Sequence, residues 1–145
     1  MTTATPSENR MPGPGLNPWK PRILHVAYFV KDIDRALAFY VGVLGMKEQM
    51  RIDLSATVHE VVLGFPDGKS SGVILMWDTA RASAPALGDG YSRIVLHVHD
   101  LDAALAHLRA NDTQVTKEPT KVGSMRYAMV ADPDGYVIEL LKIER

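Results

Sequence analysis

Apolar positions alternate through Ile23–Val30 and again through Ser92–Val98, and each run gives way to apolar residues at helical spacing. The two stretches are one piece of chain written twice: HVAYFVKDIDRALA at 25–38 and RIVLHVHDLDAALA at 93–106, displaced by 68 positions. Period-two alternation rich in β-branched and aromatic residues predicts a strand. The aspartates that follow, Asp32 and Asp100, are suited to N-cap a helix, with Asp34 and Asp102 well placed against the helix dipole. Ile33, Ala36, Leu37, Tyr40, Val41 and Leu44 then recur at helical spacing until Gly45.

Three strands are expected after the first helix, at Lys47–Leu54, Val58–Phe65 and Ser71–Trp77, with Pro66-Asp67-Gly68 turning between the last two. Residues Asp78–Gly90, rich in Ala, Pro and Gly, join the halves. The second half predicts a helix at Leu101–Ala110 ending near Asn111, then strands at Thr113–Lys117, Met125–Ala131 and Gly135–Ile143. Lys117–Gly123 reads as a loop, and Asp132-Pro133-Asp134-Gly135 as the second turn. A repeat present only twice points to a duplicated half-domain, not a solenoid. The fold class is therefore α+β: two paired βαβββ modules, about 21–80 and 91–145, forming a curved mixed sheet around a cleft. They make one domain, 21–145, behind a flexible N-terminal tail, 1–20.

Strand side chains alternate, so one facing propagates. Val26, Tyr28 and Val30, like Ile94, Leu96 and Val98, are uniformly apolar and should lie under the helices. The mixed sets then face the cleft: His25, Ala27 and Phe29 in the first half, Arg93, Val95 and His97 in the second. Aligning Val73-Ile74-Leu75 with Val137-Ile138-Glu139 makes Leu75 the counterpart of Glu139. Four equivalent positions converge on this reading: His25, Leu75, Arg93 and Glu139.

Composition narrows the chemistry. Lys plus Arg number 16 and Asp plus Glu 17, with no block of like charge, so nothing predicts nucleic-acid or anionic-membrane partners. Cysteine is absent, which removes disulfides, thiolate metal sites and cysteine nucleophiles. No segment has the length to span a bilayer, and a cytoplasmic location fits. The C-x-x-C and H-E-x-x-H motifs are missing. His59 and Glu60 are adjacent on a strand, so only one of them can face the cleft.

The repeat, the DPDG turn leading into a strand with IEL, and the phrase FYVGVLGMK resemble the glyoxalase, bleomycin-resistance and ring-cleaving dioxygenase superfamily, the vicinal oxygen chelate proteins. The resemblance covers about Ile23 to Glu144. In glyoxalase I-like members the first and last strands of each half supply metal ligands, typically His, Glu, His and Glu; other branches manage with two His and one Glu. Carried onto this chain, those positions are His25, Leu75, Arg93 and Glu139. Leucine cannot coordinate, and a guanidinium has no lone pair to donate and repels a cation. His25 and Glu139 are the only retained ligand positions, so no metal is expected in the usual geometry.

The resemblance implies an enzyme acting on a small oxygenated organic substrate by isomerisation, lyase chemistry or proton transfer, other than glyoxalase I itself. His25, Arg93 and Glu139 are the catalytic candidates: His25 as acid or base, Arg93 as the stabiliser of negative charge, and Glu139 as its partner. Phe29, Leu75, Trp77, His97 and Arg126 are the candidate substrate-binding residues. The alternatives are a drug-sequestering binding protein without catalysis, or a lyase or dioxygenase with a divalent metal on a rearranged ligand set. By the same resemblance, the partners are a small-molecule ligand and a second copy of the chain in a homodimer.

Overall fold

The computed structural model describes residues 19–144, so the expected tail lies almost wholly outside the described residues. Each half folds as a βαβββ module with its own four-stranded sheet. The first contains β1 (His25–Phe29), α1 (Ile33–Leu37), β2 (Lys47–Asp53), β3 (Val58–Gly64) and β4 (Gly72–Asp78), in the order β1-β4-β3-β2. The second contains β5 (Ile94–His97), α2 (Leu101–Ala110), β6 (Gln114–Val122), β7 (Met125–Ala131) and β8 (Val137–Ile143), in the order β5-β8-β7-β6. The first strand of each half pairs in parallel with the last, and the remaining pairs are antiparallel.

The local signals explain where the helices begin and end. Asp32 accepts from the Arg35 amide at 3.1 Å and Asp100 from the Ala103 amide at 2.9 Å, so both helices start at the expected caps. Helix α1 widens into a π-helical segment, Ala38–Val43, in which the Leu44 amide reaches back to the Phe39 carbonyl at 2.9 Å. Gly45, at φ 77°, stops it. After α2 the left-handed residue is Asp112 (φ 60°), one place beyond Asn111.

One expected loop is a strand. Strand β6 continues through Lys117 and Pro119 to Val122. The reason lies in its position: β6 is the sheet's edge, where a proline withholds no needed donor, and the ladder skips register between Val115 and Lys117 and again before Thr120.

The helices cover one face of the sheets, and a continuous core fills the space between. Tyr28, Val30, Leu63, Leu75, Ile138 and Leu140 from the strands meet Ala36, Tyr40, Leu101, Leu105 and Leu108 from the helical segments. Between the halves the core is tied by polar contacts. The Tyr40 hydroxyl donates to Asp132 Oδ2 at 2.7 Å, and the Tyr136 hydroxyl donates to the Phe29 carbonyl at 2.7 Å. Asp134 Oδ1 accepts from the Lys31 amide at 3.0 Å and from Arg35 at 3.3 Å. The DPDG turn of the second half is thus latched onto the strand–helix junction of the first.

Candidate functional site

Sheet register decides which side chains share the face left open by the helices, because laterally paired residues point to the same side. In the first half, His25 pairs with Gly72, Ala27 with Ile74 and Phe29 with Met76; Met76 pairs with Glu60, and Glu60 with Ile52. In the second, Val95 pairs with Glu139 and Glu139 with Met129, while Arg93 and His97 flank Val95 on the same side. His25, Phe29, Arg93, His97 and Glu139 therefore stand on open faces, as the alternation predicted.

Three expected site residues do not. Leu75 pairs with Tyr28 and is fully buried on the helix-covered face. Trp77 shares that face and stacks on His59 with ring centroids 5.3 Å apart. Arg126 pairs with Lys142, on the face of buried Leu140, and reaches Asp102 of α2 at 3.3 Å. The register error explains Leu75 and Trp77. The connection from Gly68 to β4 is longer than that from Gly135 to β8, so aligning the two Val-Ile pairs slips the strand by one residue. A slip of one exchanges the faces. The residue equivalent to Glu139 is Ile74: both pair with the alanine or valine of the first strand, Ala27 and Val95. Leu75 instead answers Leu140. The signal was in the sequence, since Leu75 aligned with Leu140 matches one uniformly apolar face to the other.

His59 and Glu60 are also resolved. His59 points toward the helices and shares a 2.6 Å hydrogen bond with Asp53, whereas Glu60 stands on the open face.

His25 lies against backbone. A Cβ placed on Gly72 would come within 3.0 Å of His25 Cδ2 and 2.0 Å of the Leu63 carbonyl oxygen, so the imidazole occupies space that only glycine leaves. At the rim the Arg81 guanidinium sits 5.1 Å from the Phe29 ring centroid. Across in the second sheet, Arg93 Nε donates to Glu139 Oε2, and Arg93 Nη1 donates to Ser92 Oγ at 3.0 Å. The side chains differ in exposure, 41% for Arg93 against 10% for Glu139. Glu139 is therefore the buried anion and Arg93 the counter-ion that reaches solvent. A guanidinium carries five N–H donors, so these two bonds leave Arg93 with donors to offer a ligand oxygen.

The groups that burial displaces from their ordinary titration ranges lie in and around the latch between the halves. Burial raises Asp132, against the pull of Tyr40 and the Tyr136 and Asp134 amides. Burial likewise pushes the phenols of Tyr28, Tyr40, Tyr91 and Tyr136 upward.

The ligand positions implied by the resemblance to glyoxalase I-like proteins, with Ile74 taking the place of Leu75 by register, hold His25, Ile74, Arg93 and Glu139. Two are donors, one is a hydrocarbon, and one is a cation already bound to the remaining carboxylate. Among the described residues no group of three or more His, Asp or Glu is arranged to hold a metal ion. This donor set does not fit the family's metal.

Two βαβββ modules with helices on one face, and histidine and a carboxylate on the other, define a vicinal-oxygen-chelate fold. The chain belongs to the Glyoxalase/Bleomycin resistance protein/Dioxygenase superfamily, whose model matches residues 22–140. It is 35% identical to lactoylglutathione lyase of Haemophilus influenzae over 124 residues, 83% of this chain and 92% of that one. It is 34% identical to lactoylglutathione lyase GLX1 of Arabidopsis thaliana, of which it spans 44% of the length. The trypanothione-dependent glyoxalase I of Leishmania major superposes with a TM-score of 0.73 at 34% identity, covering 84% of this chain and 86% of that one. These similarities lend no support to setting the chain apart from glyoxalase I, an expectation that rested on Leu75 and Arg93. No described helix is long and apolar enough to cross a membrane.

Proposed function

We propose that the protein is a glyoxalase-type lyase or isomerase that moves a proton next to the carbonyl of a small oxygenated substrate. Lactoylglutathione, named for its relatives, is the first candidate. The observation that carries the reading is the pairing of His25 in one half with Arg93–Glu139 at the equivalent place in the other. His25 takes up a proton from the carbon beside the carbonyl, leaving charge on the carbonyl oxygen. The N–H donors that Arg93 does not spend on Glu139 and Ser92 stabilise that oxygen, and Glu139 holds the guanidinium in place.

The open faces carry exposed apolar residues beside these groups: Met50 and Ile52 in the first sheet, Val95, Val122, Met125 and Ile143 in the second. Such patches mark interaction surfaces. In our reading a second copy covers them, and the cleft is shared between His25 of one protomer and Arg93–Glu139 of its partner.

Deuterium incorporation at the carbon beside the carbonyl of S-lactoylglutathione in D2O, read by mass spectrometry, tests the chemistry. His25→Gln should slow it by about 10²–10⁴-fold, the usual weight of a general base, without loss of thermal stability. Incorporation equal in the variant and the wild type would refute the role of His25. Mixing His25→Gln with Arg93→Met/Glu139→Leu protein tests the sharing: a shared cleft rebuilds one intact site per mixed dimer, whereas a cleft within one chain rebuilds none.

A further inference from the structure

The two halves of the chain meet twice, and the meetings are not equivalent. At one, the DPDG turn of the second half is latched onto the first by Tyr40, Asp132, Asp134 and Tyr136. Three tyrosine rings fill the space there: Tyr28 lies 4.7 Å from Tyr136 and 6.2 Å from Tyr40, centroid to centroid. The internal repeat says what should stand at the other meeting. Leu96 takes the place of Tyr28, Leu108 that of Tyr40, and Lys69 that of Tyr136; Phe65 replaces Asp132. Asp67 corresponds to Asp134 but does not cross to the other half. It turns back on its own loop, accepting from the Lys69 amide at 3.0 Å and the Ser70 amide at 3.5 Å.

The result is a cavity of about 740 Å³ where the second latch would be, between the 65–72 turn and the β5–α2 junction. Leu96, Val98, Ala104 and Leu108 form its apolar wall on one side, and Phe65 and Asp67 stand across from them. Val95 and His97 reach its edge from the open face, but His25, Phe29, Arg93 and Glu139 do not line it, so its body lies apart from those groups. Its size falls in the range of small-molecule pockets, about 300–1,000 Å³. At its edge His107 holds the Val43 carbonyl through Nε2 at 2.9 Å, which leaves Nδ1 as an acceptor.

We infer that this cavity is a second ligand site, and that it takes a small phenol or a similar aromatic alcohol. The molecule itself supplies the template. At the filled meeting the rings are phenols packed on aliphatic side chains, with hydroxyls donating to a carboxylate and a carbonyl. The empty meeting keeps the aliphatic wall and lacks the rings; Phe65 stands in place of the phenol-accepting Asp132, and the acceptors at its edge are the Asp67 carboxylate and His107. A ligand phenol replaces the missing tyrosine side chains and donates its hydroxyl to Asp67.

The test is an amide-detected NMR titration of the full chain with p-cresol, which reproduces the tyrosine side chain. Binding on the order of 0.1–1 mM is expected for a molecule of this size. Shifts should centre on residues 43–46, 65–73, 94–99 and 104–108. Leu108→Tyr, which restores the ring of the other half, should weaken binding at least tenfold. Ala104→Met fills the same space with less demand on the core and should do likewise, so the test survives if the tyrosine variant does not fold. The methyl ether of p-cresol, which cannot donate, should bind at least fivefold more weakly. The inference is overturned if p-cresol does not bind, if its shifts centre on residues around His25, Phe29 and Glu139, if Ala104→Met binds it unchanged, or if the ether binds equally well.

Discussion

Removing the Arg93 guanidinium leaves Glu139 with its charge, little water and no counter-ion. Its side chain is 10% exposed, and its open-face neighbours on β8, Val137 and Leu141, offer no donor in its place. Losing one partner of a fully buried pair costs about 3–5 kcal/mol, whereas an exposed pair contributes about 0–1. Arg93 is 41% exposed, so part of its attraction is already screened by solvent. Arg93→Ala should therefore cost about 2–3 kcal/mol, the stranded carboxylate supplying most of it. In a domain of this size that lowers Tm by roughly 4–12 °C. Arg93→Met with Glu139→Leu removes both charges and keeps hydrocarbon in the space, and should recover at least half the loss. Urea unfolding of wild type, both single variants and the double variant closes the cycle. Coupling between contacting residues is typically about 0.5–3 kcal/mol, and the upper half of that range is expected. Additive single-variant losses would refute the reasoning, because they would show that neither charge depends on the other.

Gly72→Ala should destabilise by about 2 kcal/mol or more, because its Cβ meets the Leu63 carbonyl, a backbone atom that cannot rotate away; chemical denaturation checks this, and a stability equal to wild type would show that the Leu63 carbonyl does not close that space. Tyr40→Phe removes a donor from buried Asp132 and should cost about 1–3 kcal/mol in the same assay. Asp132 has its folded pKa raised by burial, so its protonation contributes stability that is fully present below the unfolded carboxylate pKa and is lost as pH rises through the folded value. Wild type should therefore lose stability relative to Asp132→Asn as pH rises across that window, and parallel stability curves would refute the assignment.

Much of the fold was legible in the sequence because the repeat imposed the same grammar twice. The N-caps at Asp32 and Asp100, the stop at Gly45 and the bounds of α2 and β7 follow from local chemistry, which tertiary packing did not override. Edge position is not local, so Lys117–Gly123 read as a loop although an edge strand accommodates it, Pro119 included. Site residues on the first strands were correctly faced by alternation alone. Those on β4 were not, since facing there depended on counting across an insertion, and Leu75 and Trp77 moved together with that one-residue error. Arg126 failed for another reason: a polar residue on a helix-covered face can still reach an acidic partner at the helix surface, as it does with Asp102. The asymmetry between the two meetings of the halves was also present in the text, as tyrosines aligned with leucines. Its meaning as a cavity emerged only from the packing of the two halves.

The central claim is that Arg93, held by Glu139, supplies the positive charge of the site. It is tested most directly by deuterium exchange into S-lactoylglutathione on protein stripped of divalent ions with a chelator, comparing wild type with Arg93→Met/Glu139→Leu. The account predicts that stripped wild type exchanges at its full rate and that the folded double variant is at least a hundredfold slower, the weight of one lost charge-stabilising contact being about 10²–10³. Exchange that returns only when divalent ions are added back, or a double variant as fast as wild type, would contradict it.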